Sequence, residues 1–275
     1  MKFFKQVLDF YINSSIHVAL AVASLSWITL IEFDIPYDKE VLFFIFFASI
    51  TGYNFVKYFG LAKFRHRRLA NWLKWVQIFS IISFFGLCYY AFNLRYKTLL
   101  YIAGFGIITF LYAIPFLPKR LLIDKKQTIR GISGLKIYVI ALVWAGVTIF
   151  IPLINNDFQI NSDVIITALQ RFMFVMVLMF PFEIRDMQFD YLKLSTIPQQ
   201  IGINKTKVIG VLLLIGFFFL EFLKNNINSE RTVILIIVAC ITLLLLVFSE
   251  EKRAKYYSSF WVEGLPILWL LLLLF

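Results

Sequence analysis

Long apolar runs, separated by short polar segments, repeat along the whole chain of 275 residues. Each run is about 17 to 22 residues long, close to the roughly 20 that a helix needs to cross the hydrocarbon core of a bilayer. The pattern therefore predicts an all-α, polytopic membrane bundle with nine transmembrane helices. The predicted spans are residues 14–31, 41–59, 75–92, 98–117, 136–154, 164–182, 207–223, 232–248 and 259–275.

The composition excludes an ordinary soluble domain, because 61% of the residues are hydrophobic and only 16% are charged. Lys2, Lys5 and Asp9 precede the first apolar run, which has no small-residue cleavage site after it. We therefore expect a retained first helix rather than a signal peptide. The chain also has no Pro- or Gly-rich linker, and we expect residues 1–275 to form a single transmembrane domain.

Basic residues orient the predicted bundle. If the N-terminus is cytoplasmic, most of the 27 Lys and Arg residues fall in cytoplasmic segments, as the positive-inside rule requires. The exceptions are Arg171, within a span, and the outer residues Lys39, Arg95, Lys97, Lys224 and Arg231. We expect an integral protein of a bacterial inner membrane, with its C-terminus outside. The net charge of +11 then needs no nucleic acid to explain it.

Three carboxylates follow the sixth predicted span. Glu183, Asp186 and Asp190 are spaced by three and four residues, which places them on one face of a helix. Because like charges on one face repel one another, such a face is typical of a site that holds a cation, either Mg²⁺ or a basic side chain. The other interpretation is a solvated loop helix paired with Arg185 and Lys193.

Three predicted cytoplasmic loops carry most of the unusual residues, and all three lie on one side of the membrane. The first begins at T-G-Y-N-F-V-K after span two, the second reads Y-A-I-P-F-L-P-K-R after span four, and the third follows span six. In the third loop E-I-R-D-M-Q-F-D precedes S-T-I-P-Q-Q-I-G. Together these loops are expected to form one cap.

The third loop resembles the second aspartate-rich motif of the UbiA superfamily of intramembrane prenyltransferases. The second loop is similar to the loop after that family's fourth helix, and nine helices with a cytoplasmic N-terminus agree with the family's architecture. The residues that carry the resemblance are Asp186, Asp190, Thr196, Pro198 and Gly202 in the third loop, and Tyr112, Pro115, Lys119 and Arg120 in the second.

The resemblance implies an isoprenyl diphosphate held through Mg²⁺ and ionised so that an acceptor attacks the carbocation. It implies that Asp186 and Asp190 ligate the metal with help from Glu183. Such a site needs cations for the phosphate oxygens, and an apolar tunnel with aromatic faces for the carbocation. The implied substrate-binding residues are Asn54, Tyr112, Lys119, Arg120 and Arg185.

The chain departs from the family at its first motif, N-D-x-x-D-x-x-x-D, which aligns from Asn54. Phe55, Tyr58 and Ala62 occupy the acidic positions, and none of these side chains replaces a carboxylate as a Mg²⁺ ligand. In one interpretation Lys57 replaces a metal as the positive charge facing phosphate, so that it joins Asp186 and Asp190 as a catalytic residue. In the other, Lys57 pairs with the third-loop carboxylates as part of a structural or lipid-binding cap.

Other polar residues keep two interpretations. Arg171 and Glu263 are functional candidates because ionisable groups at membrane depth are costly, yet an ion pair with another helix or a place near an interface explains each of them somewhat better. Asn54 either binds phosphate or hydrogen-bonds a neighbouring helix. Tyr112 and Pro115 either shape a cavity or end a helix.

The leading hypothesis is a UbiA-like membrane prenyltransferase acting on an isoprenyl diphosphate or related lipid, with an unknown acceptor and a cytoplasmic site. The alternative is a catalytically inactive protein of the same fold that binds lipid or serves as an assembly component, which the missing first motif favours. A transporter is less consistent with the sequence, since the spans show no evident inverted repeat.

Overall fold

A computed structural model describes residues 2–59, 71–113, 135–187, 196–254 and 256–275. Within these ranges the chain is helical and contains no strand, which confirms the all-α prediction. The α-helices are α1 (Lys2–Asn13), α2 (Ile16–Glu32), α3 (Lys39–Phe59), α4 (Asn71–Ala91), α5 (Tyr96–Ala113), α6 (Leu135–Asn155), α7 (Ser162–Asp186), α8 (Ile197–Ile201), α9 (Ile203–Phe219), α10 (Ser229–Val247) and α11 (Leu265–Leu274). A 3₁₀ turn (Leu220–Leu223) extends α9, and a π-helical turn (Tyr257–Val262) precedes α11.

Each predicted span falls on a helix of the structure, but not every helix has the length and apolarity of a membrane span. Among the described residues six helices do: Lys39–Lys57, Leu135–Asn155, Ser162–Asp186, Ile203–Leu223, Ser229–Val247 and Tyr257–Leu274. Helices α1 and α2 reach the length and apolarity of a span only when taken together, as a pair bent by 57°. The apolar part of α5 is shorter than a span. The chain is therefore an integral membrane protein, and the count of nine spans stays a prediction.

Helix α1 was not predicted from the sequence. It ends at a two-residue break where Ser15 has a φ of 65° and a ψ of 18°, the left-handed region that a non-glycine residue adopts at a cost. The neighbouring elements fix this break, because Ser14 and Ser15 are both fully buried.

Helices α2, α6, α7 and α11 form the centre of the bundle. Helix α2 packs on α3, α6 and α11, and α7 packs on α6, α9 and α10. Their contacts make the main core, in which Leu25, Phe174 and Phe180 are fully buried. The outer helices α4, α5, α9 and α10 expose large apolar side chains such as Ile82 and Leu212, and we interpret these as the lipid-facing surface.

The loops at one end of the bundle are tied together by hydrogen bonds. Asn155 and Asn156 each donate a side-chain N–H to Asp38 Oδ2, at 2.8 and 2.9 Å, and Thr98 donates to Asn155 Oδ1 at 3.1 Å. We call this the Asp38 end; it includes residues 33–38, 92–95, 156–161 and 224–228. The opposite end, where α3 and α7 finish, is the Lys57 end.

Candidate functional site

The Lys57 end brings together the described residues that the sequence proposed for the site. Asn54 and Lys57 lie on the last turns of α3, and Glu183, Arg185 and Asp186 lie on the last turn of α7. Asp190, Lys119 and Arg120 lie outside the described residues, and so does the side chain of Tyr112. The metal and substrate assignments of those four residues therefore stay predictions.

Asn54 and Lys57 both bond to the break between α1 and α2. Asn54 is 2% exposed; its amide donates to Ser14 O at 3.0 Å and Ser80 Oγ at 2.8 Å, and its Oδ1 accepts from Ser15 Oγ at 2.8 Å. Lys57 Nζ donates to Ser15 Oγ at 2.8 Å. Three elements, α2, α3 and α4, are thus joined at this point, and the ammonium of Lys57 is held in one position.

Glu263 brings an opposite charge to the same place from the other end of the chain. It follows the π-helical turn, and its N–H donates to the Ser258 carbonyl at 3.1 Å, five residues back. Such π turns are common at functional sites because they redirect a side chain. The Glu263 carboxylate is close enough to Lys57 and Arg185 for their charges to interact. The charge of Lys57 thus acts on Glu263, an acid from the other end of the chain.

The end of α7 orders its own charged side chains. Arg185 donates from Nε and Nη2 to Asp186 Oδ1, at 2.9 and 2.7 Å, and its guanidinium lies over the Phe182 ring at 5.4 Å. Glu183 is 2% exposed, and its Oε2 accepts the Ile197 N–H at 3.2 Å. Asp186 is thus the more accessible of the two described carboxylates, whereas Glu183 anchors α8.

The T-I-P-Q-Q-I-G segment forms the one-turn helix α8 and its junction with α9. The Thr196 N–H donates to Gln199 Oε1 at 2.9 Å, and Pro198 stands in the first turn, where a missing N–H costs nothing. Gly202 has a φ of 86° and a ψ of 156°, a conformation reserved for glycine. The motif is therefore explained by local geometry, and it positions α8 against Glu183.

Arg171 lies apart from this cluster. It is 1% exposed, donates to Leu25 O at 2.7 Å and to Glu32 Oε2 at 3.5 Å, and stacks on Trp269 at 5.3 Å. These contacts join α7 to α2 and α11. Of the two interpretations left open by the sequence, the structure supports an ion pair between helices for Arg171.

The Mg²⁺ implied by the resemblance needs several oxygen ligands close together. The described residues contain no group of three or more His, Cys, Asp or Glu side chains placed to hold an ion. Asp186 offers hard oxygen, the ligand type that Mg²⁺ prefers, although one of its oxygens is engaged by Arg185. Asp186 is thus a suitable type of ligand for Mg²⁺. A second carboxylate, predicted to be Asp190, is needed to complete the site.

Sequence reasoning did not group Glu263 or Ser15 with Lys57. The signal available for Ser15 was the polar pair Ser14-Ser15 at the start of the first span. For Glu263 it was a single acid inside an apolar run, which marks a functional candidate without naming its partner.

Comparison with solved structures identifies the fold. No protein-family model matches the chain, and no curated protein matches it. The chain is similar to a solved digeranylgeranylglyceryl phosphate synthase, a UbiA-superfamily membrane prenyltransferase, with a TM-score of 0.58 and 15% identity over 99% of this chain and 97% of that one. The two chains therefore share one fold over almost their whole lengths, and it is the fold that the resemblance to the UbiA superfamily implies.

Proposed function

We propose that this chain is an intramembrane prenyltransferase that moves an isoprenyl group from an isoprenyl diphosphate to an acceptor at the Lys57 end. The observation that carries the proposal is the gathering of Lys57, Arg185 and Asn54 at one end of a fold shared with a membrane prenyltransferase. The positive-inside pattern favours a cytoplasmic location for this end.

The two cations suit a diphosphate. Arginine presents a planar fork that matches phosphate oxygens, and lysine supplies a point charge. Before substrate binds, Glu263 and Asp186 balance these charges, since each lies close to one or both cations. A bound diphosphate would balance part of this positive charge. Asn54 would hold Ser15, and through it Lys57, in position.

Metal binding belongs to the proposal as well. Asp186 and Asp190 would hold Mg²⁺, with Glu183 assisting through its contact with α8. The ion, when bound, neutralises charge on the diphosphate leaving group. Lys57 stands where the first aspartate-rich motif of the family is missing, and we propose that it supplies positive charge there instead. The predicted phosphate contacts of Lys119, Arg120 and Tyr112 are part of the same proposal.

Aromatic side chains extend from this end into the bundle. Tyr53 lies one turn before Lys57 on the same face of α3, and its hydroxyl accepts the Trp144 indole N–H at 2.7 Å. Aromatic faces stabilise a nearby cation without reacting with it. The allylic C–O bond would break with its electrons leaving on the diphosphate, and the acceptor would bond the carbocation and lose a proton.

Release of pyrophosphate tests the proposal. The purified chain, reconstituted in lipid with Mg²⁺, is incubated with isoprenyl diphosphates of increasing length and a membrane extract as the acceptor source. We expect release with at least one donor, and a loss of most of it in Asp186→Asn. If no donor gives release while Asp186→Asn and Asp190→Asn leave cellular function intact, the chain is a lipid-binding or assembly protein of this fold.

A further inference from the structure

A cavity lies at the Asp38 end, remote from Lys57. It has a volume of about 680 Å³ and opens between the loop after α2, the start of α7 and the loop between α9 and α10. Its lining combines polar residues, among them Lys224, Asn225 and Arg231, with the apolar Trp269 and Leu273. This cavity therefore suits an amphipathic molecule.

Asp163 is a buried carboxylate in this cavity that accepts hydrogen bonds from neutral groups. It is 8% exposed and accepts the backbone and side-chain N–H groups of Asn225, at 3.1 and 2.8 Å. The other acids in the cavity wall have basic partners: Glu32 pairs with Arg171, Asp34 with Arg231 and Glu221 with Lys224. Among the described residues no Lys or Arg forms an ion pair with Asp163, so a cationic ligand would be its first basic partner there.

Thr167 adds an uncommitted hydroxyl one turn further along α7, on the same face as Asp163. It is 2% exposed and lines the cavity, and its Oγ1 has no hydrogen-bond partner among the described residues. Most buried helical threonines of this chain donate to the carbonyl four residues back, as Thr148 does to Trp144 at 2.7 Å. A buried hydroxyl without a partner destabilises the folded state, and a ligand that bonds it would remove that cost.

We propose that this cavity binds the primary ammonium head group of a membrane phospholipid, with the ammonium on Asp163 and Thr167. A primary ammonium has three N–H donors, enough for the carboxylate and the hydroxyl together. The phosphate then lies beside Lys224 and Arg231, and the glycerol and acyl part lies against the apolar lining residues Trp269 and Leu273. The site is independent of the prenyl transfer proposed for the Lys57 end.

Thermal unfolding of the full chain in detergent tests this site with three short-chain lipids. Phosphatidylethanolamine carries a primary ammonium, phosphatidylcholine a trimethylated one without N–H donors, and phosphatidylglycerol has none. We expect only phosphatidylethanolamine to raise the unfolding temperature, because binding to the folded state alone stabilises it. Thr167→Val should weaken this response roughly tenfold in lipid concentration, the equivalent of one hydrogen bond to a charged group.

Two features of the variants separate ligand binding from a structural effect. Thr167→Val should keep or raise the unfolding temperature without lipid, since it removes an unpartnered hydroxyl, and Thr148→Val should keep the full lipid response. An equal response to all three lipids, or an unchanged response in Thr167→Val, would overturn the proposal. So would an equal response to soluble phosphoethanolamine, which would identify a small amine rather than a lipid as the ligand.

Discussion

Lys57 donates a hydrogen bond of 2.8 Å to Ser15, the left-handed residue that separates the first two helices. Asn54, on the same helix α3 as Lys57, accepts a hydrogen bond from the Ser15 hydroxyl at Oδ1. One serine therefore orients both polar side chains. The position of the cation is therefore set by the break between α1 and α2. A charge held in this way is ready to meet an anionic substrate without rearrangement.

The Asn54 network predicts a large effect on stability. Asn54→Ala removes three hydrogen bonds and leaves the Ser14 carbonyl and Ser15 hydroxyl without them, at an expected cost of about 1–3 kcal/mol. The matched change Asn93→Ala removes one exposed bond of 3.3 Å and should cost less than about 0.5 kcal/mol. Thermal unfolding in detergent compares the two. Equal unfolding temperatures would show that Asn54 does not hold the break.

Arg171 predicts a structural role. Arg171→Met leaves Glu32 and the Leu25 carbonyl without their buried donor, and we expect a loss of about 3 kcal/mol in the free energy of unfolding. Arg171→Lys keeps the charge but loses the planar contact with Trp269. Its free energy of unfolding should lie between those of wild type and Arg171→Met. Removing the exposed Lys205 in Lys205→Met provides the control. The account is contradicted if Arg171→Met unfolds at the same temperature as that control.

Much of the fold was predictable from the sequence because apolar runs of bilayer length leave a helix few alternatives. Helix α1 was missed because its apolar positions mix with Lys5, Asp9 and Asn13, and its end depends on the buried Ser15. The proximity of Glu263 to Lys57 was also beyond sequence reasoning, since periodicity within a helix does not say which helices become neighbours. Asp186 and Asn54 were recognised as candidates because they stand in motif-like strings.

Close packing between α5 and α6 depends on Gly146. A Cβ at this position would overlap the Phe105 ring, so Gly146→Ala should lower stability by about 1–3 kcal/mol through overpacking. Gly104→Ala is the matched control, because a Cβ there meets nothing within 4 Å, and it should be neutral or stabilising by up to about 1 kcal/mol. Unfolding temperatures in the order Gly104→Ala, wild type, Gly146→Ala are expected; the reverse order would refute the packing argument.

The metal assignment predicts that pyrophosphate release depends on Mg²⁺ and that the ligands lie on α7 and in the segment after it. Chelation should abolish pyrophosphate release, and Asp190→Asn should raise the Mg²⁺ concentration needed for half-maximal release by roughly tenfold, the loss of one ligand. Glu221→Gln, at the other end of the bundle, is the control for a general loss of negative charge. Release that persists in chelator would rule out Mg²⁺ and leave Lys57 and Arg185 as the cations of the site.

The most direct test of the central claim compares two lysines at opposite ends of the same helix. Lys57 and Lys39 both belong to α3, but only Lys57 of the two bonds Ser15 and has its charge act on Glu263. Pyrophosphate release is measured over a range of isoprenyl diphosphate concentrations for Lys57→Met and Lys39→Met. We predict that Lys57→Met lowers kcat/KM by about tenfold or more, the value of one charged hydrogen bond, while Lys39→Met matches wild type. Equal kcat/KM for both variants and wild type would contradict the assignment of the diphosphate to the Lys57 end.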